Sequence, residues 1–189
     1  MLDWAVDRAL SQLGRNHVPV AVADVDAPTV ITLGTLSNQR GQVVLRSIIA
    51  QAFLSGPAEP IVSEDVAGLL DRSGFTTGSV NTGATLDLVP HQMLVPAAVA
   101  QMRRYMGTLR AARLEALSGP IEHAKTRIEV WSKQAEALAD KRAPAQAAKM
   151  RREVVRTRAA ATDLAESLTA RPDPMVRVLL LLLPRRDGQ

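Results

Sequence analysis

The stretch Met175-Val176-Arg177-Val178-Leu179-Leu180-Leu181-Leu182-Leu183-Pro184 is apolar almost throughout, and its second half shows no alternation of polar with apolar residues. A run of this kind, too short to cross a bilayer, reads as a β-strand buried on both faces. The preceding Arg171-Pro172-Asp173-Pro174 forbids helix. A buried strand must join a sheet, and the other strand candidates all lie before residue 55. Val18, Val20 and Val22 alternate as in a half-buried strand from Val18 to Val25, with Pro19 placing it at an edge. Thr29 to Leu36 is rich in β-branched residues, and Asn38-Gln39-Arg40-Gly41 supplies a turn. In Gln42 to Leu54 the apolar Val44, Leu45, Ile48, Ile49, Ala52 and Phe53 fit a helix face as well as a strand, so the second arm of this hairpin stays open. The expected fold is α+β, a small sheet with packed helices plus a projecting antiparallel helical hairpin.

Around these strands the first half holds two short helical signals. Leu2 to Leu13 carries apolar residues at helical spacing and ends at Gly14. Ser63 is placed to cap a helix through Asp71, with Gly74 as its stop. Phe75 to Gly83 is rich in Gly, Thr, Asn and Ser and reads as a polar loop. Its glycine spacing fits neither the Walker A pattern nor the dinucleotide pattern and no Lys follows, so nucleotide binding is not expected there.

The second half reads as helix. Pro96 suits the first turn of a helix to about Leu117, with Val99, Met102, Met106 and Leu109 on one face, and Ser118-Gly119-Pro120 is expected to break it. Beyond it Ile121, Ala124, Ile128, Trp131, Ala135 and Leu138 follow heptad spacing, and after Arg142-Ala143-Pro144 a second seam runs through Ala147, Met150, Val154, Thr157, Ala161, Leu164 and Leu168. The two segments are of similar length and Pro144 suits a first turn, so they read as an antiparallel hairpin, with one kinked helix as the alternative. On the hairpin reading Trp131 is a seam residue, and Trp131→Ala should cost about 3 to 5 kcal/mol.

Composition bounds the function. The chain has 189 residues, 47% of them hydrophobic, enough for a substantial core. Aromatic residues are only 3%, which leaves little to stack on unpaired bases. There is no Cys, so disulfides, thiolate metal sites and a cysteine nucleophile are excluded, and a cytoplasmic location is the expectation. The net charge of +4 hides an asymmetry. Residues 1–100 carry five arginines (Arg8, Arg15, Arg40, Arg46, Arg72) against nine acids, whereas residues 101–189 carry eighteen basic residues against ten acids. An acidic partner for the second half follows, and nucleic acid is one, although exposed helices carry charge in any case.

No catalytic constellation stands out. His17, His91 and His123 are the only histidines; none has a second ligand four residues away on an unbroken helix, since Pro90 separates Asp87 from His91. There is no G-x-S-x-G elbow. Glu64 and Asp65 suit the positive end of a helix dipole, and Glu122, Glu129 and Glu136 share a stripe that reads as a solvated face. Trp131, Met102, Met106 and Met150 fit core packing better than a partner-binding stripe. Neither catalytic nor metal residues, and no cofactor, are assigned.

From Ile128 to Pro184 a Trp-containing helix (Trp131, Ala135, Leu138, Ala139), an Arg-rich helix (Arg151, Arg152, Arg156, Arg158) and Pro174-Met175-Val176-Arg177-Val178-Leu179 closing on Leu183-Pro184 follow one another. This succession, about a third of the chain, resembles the C-terminal region that follows the motor in some large bacterial Swi/Snf-type helicases, including ones from phage-defence islands. The resemblance implies an accessory region beside a DNA translocase. The chain departs from the family in having no Walker A motif and no D-E-x-H-like box, so it is not expected to hydrolyse ATP. The expectation is a non-enzymatic module divided into an α+β body (1–95), a basic helical region (96–170) and a returning strand (171–189). Its partner would be nucleic-acid backbone, met without regard to sequence, or a helicase motor, with no membrane contact. The residues expected to meet it are Arg103, Arg104, Arg110, Arg113, Lys125, Arg127, Lys149, Arg151, Arg152, Arg156 and Arg158. A scaffold subunit whose hairpin binds a partner helix is the alternative.

Overall fold

The computed structural model describes residues 18–75 and 86–185. The expected helix over Leu2 to Leu13, and all but the first residue of the Phe75 to Gly83 loop, lie outside them. Among the described residues the fold is α+β. Its strands are β1 (Val20–Ala23), β2 (Thr29–Ser37), β3 (Val43–Ala52), β4 (Ile61–Ser63) and β5 (Met175–Pro184), and its helices are α1 (Val66–Arg72), α2 (Leu94–Ala139) and α3 (Pro144–Leu168). They form one mixed sheet of order β1-β5-β2-β3-β4. β1 runs parallel to β5, with Val20 opposite Leu181, and β4 runs antiparallel to β3, with Ala50 opposite Ser63.

The leucine run forms an interior strand of this sheet, between β1 and β2, for the reason its pattern implies. Leu181 and Leu183 pack with Val30, Phe53, Leu94 and Ala98. Leu180 and Leu182 pack with Ala23, Ile31 and Ala50, beside Val66, Leu69 and Leu70 of α1. Successive side chains of a strand point to opposite faces, so a strand covered on both must be apolar at every position. β1 is an edge strand, as Pro19 implied. Gln42 to Leu54 resolves in favour of strand, because β3 lies between β2 and β4 and its amides pair with both. The fully buried Gln51 of β3 donates through Nε2 to Thr32 Oγ1 at 2.9 Å and to the Ala98 oxygen at 3.1 Å, tying strand to helix.

Three sequence expectations are corrected. Ser63 does not cap a helix; it ends β4, and Asp65 caps α1 by accepting from the Gly68 amide at 2.9 Å. Ser118-Gly119-Pro120 does not end a helix, since α2 continues through Pro120 to Ala139. Proline removes one amide and crowds the residue before it. Here that residue is Gly119, which has no Cβ to crowd, and the Ala116 whose carbonyl loses its partner is exposed to water. The seam of α2 also differs: Trp131 is 38% and Leu138 50% exposed, Ala124 is exposed, and the buried positions are Ser132, Ala135 and Ala139, with Ile121 and Ile128 half-buried. A helix with 3.6 residues per turn drifts from a seven-residue repeat, which moves the facing stripe on by one position after two heptads. On α3 Ala147 and Val154 are buried as expected, whereas Leu164 is 61% exposed and Ala165 takes its place.

The chain divides into two compact units. One comprises Met1–Gly34, Ile48–Met102 and Val176–Gln189; the other comprises Thr35–Ser47 and Arg103–Met175.

Candidate nucleic-acid interface

The second unit holds the basic helices, and its construction begins at the turn joining β2 to β3. Asn38 is buried there; its Oδ1 accepts from the amides of Arg40 and Gln42, and its Nδ2 donates to Gln42 Oε1. Gly41 follows at φ +78°, a backbone conformation that favours glycine. Arg171, just beyond α3, donates its amide to the Ser37 oxygen at 2.8 Å and its Nη2 to the Gln39 oxygen at 2.9 Å. Arg40 pairs with Asp163 at 3.0 Å. The C-terminal end of α3 is thereby fixed against the turn.

Toward the other end α2 and α3 lie antiparallel, joined by Asp140 to Ala143. Arg158 pairs with Glu136 at 3.2 Å and Arg151 with Asp140 at 2.8 Å, matching later residues of α3 with earlier residues of α2. These are exposed pairs, of the order of 0 to 1 kcal/mol each, and they set register more than they add stability.

The expected site residues fall into three environments. Arg110 and Arg113 are half-buried: Arg110 Nε donates to the Ala170 oxygen at 3.0 Å, and Arg113 Nε is buried without a hydrogen-bond partner among the described residues. Lys125, Arg151 and Arg158 are each engaged with a carboxylate, Lys125 with Glu122 at 3.7 Å. Arg103, Arg104, Arg127, Lys149, Arg152 and Arg156 are exposed. The four arginines of α3 therefore do not form a single arc. Arg151 and Arg158 flank the packed seam and face carboxylates of α2. Arg152 and Arg156 each lie two residues from the buried Val154, and Lys149 lies two from the buried Ala147. Two residues carry a side chain to the far side of a helix, so Lys149, Arg152 and Arg156 share the solvent face. Arg152 lies back along its own helix, with Nε donating to the Ala148 oxygen at 3.3 Å.

Lys141 and Arg142 were missed from sequence. Both are exposed in the turn at the hairpin tip, beside the start of the Lys149 stripe. The signal was Pro144: a first-turn proline places the residues before it in the turn, and the two cations among them at the tip.

A cleft of about 760 Å³ lies on the flank of the hairpin that carries the ion pairs, floored by Ile121, Ile128, Ala161 and Ala165 and rimmed by Gln39, Lys125, Glu129, Arg158 and Glu166. Its two cations are offset by two carboxylates and it has no histidine, so it offers neither a strong field nor a nucleophile with its base. No group of three or more His, Asp or Glu side chains able to hold a metal occurs among the described residues, and no described helix is long and apolar enough to cross a membrane. No family model, curated protein or solved structure matches the chain.

Proposed function

We propose that this chain is a non-enzymatic accessory module of a nucleic-acid-processing system, beside a helicase or translocase motor, and that it contacts nucleic-acid backbone through the outer face of α3 and the hairpin tip. The observation that carries the reading is the face formed by Lys149, Arg152 and Arg156. It points away from the seam, and among the described residues none of its cations pairs with a carboxylate. Cations held in this way displace condensed counterions from phosphates whatever the base sequence. Their test is the triple substitution Lys149→Gln, Arg152→Gln, Arg156→Gln, compared with wild type by filter binding to two short duplexes of unrelated sequence. Affinity should fall alike for both, and the slope of log affinity against log salt should flatten by up to roughly 0.9 for each phosphate the protein ceases to neutralise. Equal affinities for wild type and variant overturn the proposal.

A second reading rests on a different flank. Trp131 and Leu138 of α2 are seven residues apart and, with Leu164 of α3, lie on the flank opposite the ion pairs, each more than a third exposed. A scaffold subunit would use such a flank to receive a partner helix. Binding to a partner protein that survives nuclease and is abolished by Trp131→Ala with Leu138→Ala would favour it.

A further inference from the structure

We infer that the outer face of α3 selects duplex over single-stranded nucleic acid; the inference rests on the backbone-binding reading above and goes beyond it to the form of the strand. Three observations support it. First, α3 contains no Phe, Trp or Tyr, and in the whole second unit the aromatic residues are Tyr105, half-buried, and Trp131, on the flank of α2. Single-strand binders hold flexible chains by stacking bases on aromatic rings, a contribution that this face does not offer.

Second, the cations stand in a fixed line. Lys149 and Arg156 are seven residues apart on one helix, about 10.5 Å along its axis. Over that length a duplex presents about six phosphates and one strand about three, because the duplex carries a charge every ~1.7 Å of its axis. With no stacking to compensate, the greater charge density decides the preference.

Third, alanines border the stripe. Ala145, Ala148, Ala159 and Ala160 are exposed beside the cations and add no bulk there, and the acidic side chains on that side are the exposed Glu153 and Asp163. A stiff double helix can meet all of them at once without bending around a bulky neighbour.

The test uses the full chain and fluorescence anisotropy with a labelled DNA duplex and each of its separate strands, at low and at physiological salt, for wild type and for Lys149→Gln, Arg152→Gln, Arg156→Gln. Circular dichroism first establishes that the variant is folded. The duplex should bind about threefold or more tighter than either strand, with the steeper salt dependence, and the variant should lose both the affinity and the preference. If the strands bind as tightly as the duplex and the variant weakens both, selection for duplex is overturned while backbone binding stands. If the variant binds as wild type does, or if wild type binds neither probe at low salt, backbone binding itself fails and this inference with it.

Discussion

Asn38 donates its side-chain amide to the backbone oxygen of Ser167 at 2.9 Å, across 129 positions of sequence. Ser167 lies in the last turn of α3, where a helix leaves its final carbonyls without partners of their own. The same side chain organises the β2–β3 turn through Arg40 and Gln42, so one buried residue closes a turn and caps a helix. Asn38→Ala removes these bonds and leaves buried groups unsatisfied, and should cost about 2 to 4 kcal/mol by chemical denaturation. Asn38→Asp should also destabilise, because a carboxylate cannot donate to Ser167. A loss below about half a kcal/mol in both variants would deny Asn38 this role.

Within the hairpin, burial and size point in opposite directions. Val154 is small and buried, whereas Trp131 is large and 38% exposed. Val154→Ala should cost about 2 kcal/mol, since a cavity is left in a closed seam. Trp131→Ala should cost about 1 to 2 kcal/mol, because water can enter the space and no enclosed cavity forms. Thermal and chemical unfolding of the two variants side by side measure this, and a loss of 3 kcal/mol or more at Trp131 would restore it to the seam.

Pro120 is exposed and leaves α2 short of one amide. Pro120→Ala should therefore stabilise the protein, by about 1 to 3 kcal/mol, and deepen the helical signal in far-ultraviolet circular dichroism. A destabilised variant would show that the proline serves packing.

Among the described residues, Asp65 carries the pH effect with a clear sign. The Gly68 amide, and then the Arg72 side chain, hold its carboxyl below the ordinary aspartate value. A depressed folded-state pKa contributes stability above the unfolded value, and that contribution disappears as pH falls through the folded one. Asp65→Asn keeps a capping oxygen and removes the charge, so its denaturation midpoint should depend less on pH through the acid range than that of wild type. Gly68→Ala should damage the same cap, because an added Cβ would meet the Asp65 carboxylate. Identical pH profiles for wild type and Asp65→Asn would show that the carboxylate is not coupled to folding.

The buried strand, the edge position of β1 and the helix-turn-helix from Ile121 to Leu168 were legible because each rests on a local pattern. Pro120 was misread because the rule for helix breakers assumes a crowded neighbour and a carbonyl cut off from water, and Gly119 and the exposed Ala116 remove both conditions. Residues 42–54 fit two periods, and only the neighbouring strands decided between them. In the candidate site, charge was legible and facing was not. Whether Arg151 and Arg158 are available depends on Asp140 and Glu136 of the other helix, and so on a hairpin register that the spacing within α3 does not contain.

The interior position of β5, between β1 and β2, also sets an order of events in folding. Its neighbours β1 and β2 are complete by residue 37, yet the strand that must slot between them begins only at Met175. Until it arrives β1 has no strand to pair with, and β2 pairs with β3 alone. The helical hairpin and the β2–β3–β4 pairings are made of local contacts and can form first; the β1–β5 and β5–β2 pairings have very long sequence separation, and their loop-closure entropy must be met before they contribute. A chain released without residues 175–184 would therefore expose two unpaired, apolar strand edges, and its characteristic failure should be aggregation through the sheet with the hairpin intact.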